Sequence, residues 1–310
     1  MEQSAIRTLG AEDFARQFGN AGSLPELCRR LVDEGDFRHR VLSGRAREDF
    51  ILQAVRQLEL ALDRSGAHRL DKWANGWQEN VDDFRASDFA ITALQPKFVH
   101  ANRPVRLEGQ YIQPVSSKFY FDYMRVLISW VFLHHFAALP AVCEFGCGTG
   151  LNLVFGGQAR PDCHLIGTDW ALSSQTLIAD IQAHLGIDVE GRRFDLFHPD
   201  DGFTLSANCG VLTVGSLEQV GGDFEPFLDY LRRQRPGVCV NLEPINELLD
   251  ENDLFDWVAI RYSQKRNYLS GYLTRLRAMA AAGEIEILQE QRTFGSAFND
   301  GHSLVAWRFV

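Results

Sequence analysis

The sequence predicts an α/β protein built on a parallel sheet with helices on both faces. From residue 138 onward seven short apolar runs follow one another: AVCEF, HLIGTDW, VEGRRFDL, GVLTVGS, GVCVNLEP, EIEILQEQR and SLVAWRFV. Helix-like segments such as SSQTLIADIQAHL and FEPFLDYLRRQ separate the earlier runs, which is the alternation expected of parallel strands joined by helical crossovers. The first run ends in the glycine-rich stretch AVCEFGCGTGLN, and in such sheets ligands bind beyond the carboxyl ends of the strands.

With 310 residues, 45% hydrophobic and 23% charged, the chain can bury a sizeable core. A formal charge of -10 argues against general nucleic-acid binding, which needs a basic face to neutralise phosphates. The longest apolar run, VLISWVFL, stops at His134 and His135 and is too short to span a bilayer. The polar N-terminus has no signal-peptide core, so a cytoplasmic protein is the expectation. The six cysteines show neither a C-x-x-C pair nor finger spacing, so they read as reduced, packed thiols, and no metal is expected.

Before residue 138 the periodicity is helical. Ile51, Val55, Leu58 and Leu62 fall on one helix face and read as core. A second helix is expected around LDKWANGWQENVDDF, followed by a loop containing Pro104, Gly109 and Pro114. SSKFYFDYMRVLISWVFLHHF then reads as a helix capped by Ser116 or Ser117 and apolar nearly all round, as if buried between two layers. The resulting division is a helical substrate-binding or lid region over 1–115 and an α/β domain over 116–310.

Glycines at the end of a strand let a ligand approach the backbone. A dinucleotide fingerprint would place its third glycine at residue 151, which is leucine, and the Gly-Lys-Ser/Thr of a phosphate loop is missing. The spacing is instead an acid, Glu144, followed by Gly146, Gly148 and Gly150.

This stretch resembles motif I of the class I S-adenosylmethionine-dependent methyltransferases, and the resemblance runs in register over about residues 115–310. It implies a Rossmann-like seven-stranded methyltransferase sheet of order 3-2-1-4-5-7-6 with strand seven antiparallel, and S-adenosyl-L-methionine as cofactor. In the family, the acid ending the second strand binds both ribose hydroxyls, which places Asp169 there; two carboxylate oxygens suit a diol. The acid ending the third strand receives the adenine amino group, which points to Asp195 with Leu196 beside it. Trp170 either covers adenine or belongs to the core. The cationic sulfonium and amino-acid end of the donor match Glu144.

Methyl transfer from a sulfonium is an in-line displacement, so alignment and exclusion of water are the main tasks of the enzyme. Candidate bases are Glu218 after the fourth strand, Glu243 at the end of the fifth, and His134 or His135; each also reads as a capping or surface group. The acceptor is expected to be a small molecule met by the N-terminal region and by the insertion between strands five and six. Tyr111 and Tyr120, in the segment LEGQYIQPVSSKFYFDY over 107–123 that either closes over the donor or places its tyrosines in a helix core, are candidate acceptor contacts. So are Arg261, Lys265 and Arg266 of RYSQKRNY: they either grip an anionic group or form a solvated face balancing the acids of DENDLFD. A protein or peptide acceptor, and a non-catalytic binder of S-adenosylmethionine, are the alternatives.

Overall fold

The computed structural model describes residues 5–98 and 103–310. Among the described residues, twelve strands and ten α-helices follow one another along the chain. Its N-terminal part holds β1 (Ile6–Thr8), α1 (Ala11–Gln17), α2 (Glu26–Glu34), β2 (Arg38–Val41), α3 (Gly44–Glu59), α4 (Leu70–Ala86), β3 (Val105–Leu107) and β4 (Gln110–Pro114). Helix α5 (Phe119–His134) leads into β5 (Ala141–Phe145), α6 (Leu151–Ala159), β6 (His164–Asp169), α7 (Leu172–Leu185) and β7 (Val189–Arg193). The chain continues through β8 (Cys209–Val214), α8 (Glu225–Gln234), β9 (Val238–Glu243), α9 (Leu254–Arg266), α10 (Tyr272–Ala281), β10 (Ile285–Gln291), β11 (Phe294–Gly295) and β12 (Ser303–Phe309).

The large sheet has the order β10-β12-β9-β8-β5-β6-β7. Numbered along the sheet-forming segments, that is 3-2-1-4-5-7-6 read from the β7 edge, and β12 pairs antiparallel with both neighbours. All seven expected strands are present. Because side chains alternate across a strand, Val142, Leu212 and Val240 join one hydrophobic cluster while Cys143, Val211 and Cys239 join the other. The first cluster takes in α1, α2 and α4–α7, and the second takes in α8 and α10. The N-terminal region therefore shares its core with the sheet rather than standing off on a linker.

That region is not purely helical, as the sequence suggested. Strands β1, β2, β4 and β3 form an antiparallel sheet completed by β11 from the C-terminal part. Each of the four N-terminal strands has three to five residues, too few for an alternation to register, and β1 is exposed throughout. The segment over 107–123, expected to close over the donor, is the turn and second strand of this β3–β4 hairpin, its exit and the start of α5. Ser116 does not cap α5 directly; its Oγ accepts the N–H of Lys118 just ahead of the helix.

The strand order reverses between the paired strands β5 and β8, where the chain, having added β6 and β7 on one side, crosses to build the other. A crevice opens there beyond the carboxyl ends of the strands. Among the described residues, no helix is long and apolar enough to cross a membrane.

Candidate active site

A cavity of about 520 Å³ occupies this crevice, a size within the usual range for small-molecule sites. Its floor is the turn after β5. Gly146 and Gly148 have φ of 72° and 53°, a region that side chains disfavour. A Cβ on Gly146 would lie 2.4 Å from Cβ of Ser216, and one on Gly148 would lie 2.9 Å from the Trp77 ring. The turn is thus pressed from the β8 side by Ser216 and from above by α4, and both glycines line the cavity. Gly150 does not line it; it packs on Ile178 of α7.

Asp169, at the tip of β6, lines the cavity and is only 5% exposed. Its Oδ2 accepts the N–H of Gly148 at 3.0 Å and its Oδ1 that of Ala171 at 2.9 Å. One bond to each oxygen leaves each able to accept a second. Burial pushes this carboxyl up to about 6, against the lowering by the two amides. Beside it, Trp170 and Phe197 stack at 5.7 Å and 19° and line the cavity with Phe194 and Leu196.

Asp195 lies outside this lining. Its carboxylate turns back on its own loop, accepting the N–H of Phe197 at 2.8 Å and pairing with His198 at 3.1 Å, as a short acid in a turn commonly does. Glu144 is fully buried beneath the turn and also lies outside the lining. Its Oε1 accepts from Asn152 at 2.7 Å, and Oε2 has no partner. Burial pushes its carboxyl up to about 8, and it orients Asn152, which does reach the cavity.

The opposite half of the cavity is built from the turn after β8, the end of α9, α4 and the loop before β12. Of the candidate bases, only Glu218 lines it. Glu243 caps the turn: Oε1 accepts the N–H groups of Ser216 and Leu217, both at 3.0 Å, and Oε2 that of Glu218 at 3.1 Å. Burial pushes Glu243 up to about 7 and Glu218 up to about 8. His134 and His135 sit at the far end of α5 from Tyr120, roughly 22 Å along the helix axis. His134 stacks on Trp130, and His135 bonds Gln289 and is pushed down to about 4 by burial.

The expected acceptor contacts divide by helix face. Arg266 and Tyr262 line the cavity, together with Tyr268. Arg261 is exposed and bonds Gln264, while Lys265 reaches the carbonyl of Leu58. These two share the face four residues apart that packs away from the site. Tyr120 lines the cavity and its hydroxyl hydrogen-bonds Nε2 of His302. Tyr111 does not; it is buried between Phe50 and Phe255 with Arg106 at its hydroxyl.

Several lining residues escaped the sequence reading. Arg69, Trp73 and Trp77 form a row at four-residue spacing into and along α4, with Trp73 and Trp77 stacked at 5.2 Å. Helix α4 is fastened over the site by the Ser173 hydroxyl on the Ala74 carbonyl, 2.9 Å, and by Arg85 on Asp180, 2.7 Å. His302 is the other; its Nδ1 is buried without a partner, and burial pushes it down to about 4. The spacing of the α4 row was visible in the sequence, but periodicity does not distinguish a core stripe from a ligand wall.

Strand order, the glycine turn and the acid ending β6 together give the class I methyltransferase fold. No protein-family model and no curated protein matches the sequence. Among solved structures, an O-methyltransferase from neocarzinostatin biosynthesis, in complex with S-adenosylmethionine and 2-hydroxy-5-methyl naphthoic acid, is 16% identical, with 62% of this chain and 58% of that chain covered and a TM-score of 0.39. Human N-acetylserotonin methyltransferase in complex with S-adenosylmethionine is 15% identical, covering 62% and 58%, with a TM-score of 0.41. Magnesium protoporphyrin IX methyltransferase from Synechocystis with S-adenosylmethionine bound is 13% identical, covering 60% and 78%, with a TM-score of 0.43. The chain spans less than two thirds of the length of the first of these.

Proposed function

We propose that the protein is an S-adenosylmethionine-dependent methyltransferase acting on a small-molecule acceptor without a metal. The observation that carries this reading is Asp169, which lines one cavity with the glycine turn and is tied to it through the Gly148 N–H. The residues present fit the donor. Asp169 has acceptor capacity left for a ribose diol, Trp170 and Phe197 offer an aromatic surface to adenine, and Gly146 and Gly148 expose main chain to the methionine portion. When bound, S-adenosylmethionine supplies a methyl group activated by a positive sulfur.

The chain then has three tasks. Asp169 and the glycine turn fix the donor half of the cavity. Helix α4 and the loop before β12 enclose the other half, excluding water and limiting the poses of a nucleophile. Glu218, the carboxyl that faces this half, takes the proton when the acceptor must lose one. In this reading the region over 1–115 serves as acceptor wall and cover through Arg69, Trp73 and Trp77, and Arg266 meets an anionic group of the acceptor. Incubating the protein with methyl-labelled donor and fractionated metabolites tests it: label should pass to a small-molecule fraction, and its retention on the donor or its transfer only to protein would refute the reading.

A further inference from the structure

Two arginines meet at one corner of the cavity, where the Glu218 carboxyl acts on both but forms an ion pair with neither. Arg69 is 6% exposed. Its Nη1 donates to the neutral Oε1 of Gln219 at 2.8 Å, its guanidinium lies 4.9 Å over the Trp73 ring, and its Nε has no partner. Arg266 is half-buried and donates from Nε to the Tyr268 hydroxyl at 3.2 Å. Among the described residues neither forms an ion pair.

The two are brought together by the backbone. Helix α9 ends at Arg266, and Asn267 adopts a φ of 58° to stop it. The freed carbonyl of Arg266 accepts the N–H of Ser65 at 2.7 Å, while Arg64 donates to the Asn267 side chain at 3.2 Å. This docks the segment 64–69 on the end of α9, so the charge of Arg266 acts on Arg69 and, after desolvation, lowers its pKa. Burial pushes the neighbouring acid, Glu218, up to about 8, against the lowering by Arg266 and Arg69.

A contrast within the same fold shows that this is not how the protein treats a structural arginine. Arg106, fully buried, has Asp300 at 3.0 Å and Asp256 at 3.2 Å, with Arg292 sharing both acids. Burying a cation without an ion pair is costly, and here two like charges share one neighbouring acid that pairs with neither. Planar guanidinium groups are suited to a carboxylate, which they can grip with parallel hydrogen bonds. The remaining walls of this half are flat. Trp73 stacks on Trp77, and Tyr262 stacks on Phe298 at 5.2 Å and 25°. All four rings line the cavity.

Resting on the methyltransferase reading, we infer that the acceptor is a planar aromatic carboxylate whose carboxylate is held between Arg69 and Arg266 and whose ring lies among these aromatic side chains.

Calorimetry in two stages tests this. S-adenosylhomocysteine is titrated first into the wild type, Arg69→Met and Arg266→Met. Benzoate, indole-3-carboxylate and indole-3-carboxamide are then titrated into each protein saturated with it. At least one carboxylate should bind the wild type, indole-3-carboxylate at least tenfold tighter than its amide, a difference of about 1.4 kcal/mol. Both variants should lose that preference and keep their affinity for S-adenosylhomocysteine within about threefold. Arg266→Met stands if loss of the more buried Arg69 prevents folding. Equal binding of acid and amide, or no binding of any probe, overturns the inference. A selective loss of S-adenosylhomocysteine affinity in the variants also overturns it, assigning the cations to the carboxylate of the donor. Failure of the wild type to bind S-adenosylhomocysteine refutes the parent reading instead.

Discussion

The indole of Trp77 lies directly on Gly148, so close that a Cβ on residue 148 would come within 2.9 Å of its ring. A residue of the N-terminal region therefore touches the main chain of the glycine turn, and the two parts of the protein build one cavity.

Gly148→Ala should disturb both partners. The left-handed backbone costs roughly 1–2 kcal/mol for a residue with a Cβ, and Trp77 must also give way. Thermal unfolding should shift down by several degrees, and affinity for S-adenosylhomocysteine should fall at least about tenfold. A variant with wild-type affinity would show that the turn does not meet the donor.

Glu243→Gln should loosen the turn that carries Glu218. The carboxylate serves three backbone donors with two oxygens. An amide offers one acceptor and turns an N–H toward another donor, stranding at least one buried amide at a cost of roughly 1–3 kcal/mol. Denaturant unfolding should report that loss, and hydrogen exchange should accelerate at 216–218. Unchanged exchange there would refute the capping role.

The buried carboxyls predict a pH slope in stability. Glu144 is pushed from the ordinary 4.5 up to about 8 by burial. Its folded form holds a proton that the unfolded form releases, so its contribution is fully present below about 4.5 and is lost as pH rises through about 8. Each such group contributes a slope of at most about 1.4 kcal/mol per pH unit in that window. Glu144→Gln keeps an oxygen for Asn152 and should flatten the fall in stability between pH 5 and 8. An unaltered slope would show that Glu144 ionises without penalty.

If Glu218 takes a proton from the acceptor, it must first be ionised. Burial holds it up to about 8, so the rate with labelled donor and a responsive metabolite fraction should rise with pH through about 8. Glu218→Gln should cut the rate roughly 100-fold or more and leave donor affinity unchanged. A rate flat from pH 6 to 9 would remove Glu218 from this role and turn attention to His302.

The seven strands of the large sheet were legible as short apolar-rich runs, with helical segments between several of the earlier ones. Strands β1 to β4 were not: RHRV and QYIQP carry too few residues to show a period, and what fixes them is pairing with each other and with Phe294–Gly295, nearly two hundred residues away. In the candidate site, the glycine turn was visible as a spacing and Asp169 was pointed to by the resemblance; Gly146, Gly148 and Asp169 line the cavity. Asp195 and Glu144, pointed to by the resemblance, lie outside the cavity lining, because local turn bonds and burial decide where a side chain points. Arg266 could not be told from Arg261 and Lys265 until the packed face of α9 was known. Arg69, Trp73, Trp77 and His302 become a wall only when α4 and the loop before β12 fold over the strand ends.

The central claim is that Asp169 binds the ribose of S-adenosylmethionine. Calorimetric titration of S-adenosylhomocysteine into the wild type and Asp169→Asn between pH 5 and 8 tests it most directly. The wild type should bind, more tightly as pH rises through about 6, where burial has placed this carboxyl. Asp169→Asn, confirmed folded, should bind more weakly by roughly 2–4 kcal/mol at pH 8 and show no such rise. A folded variant with the affinity of the wild type across this range would contradict the account.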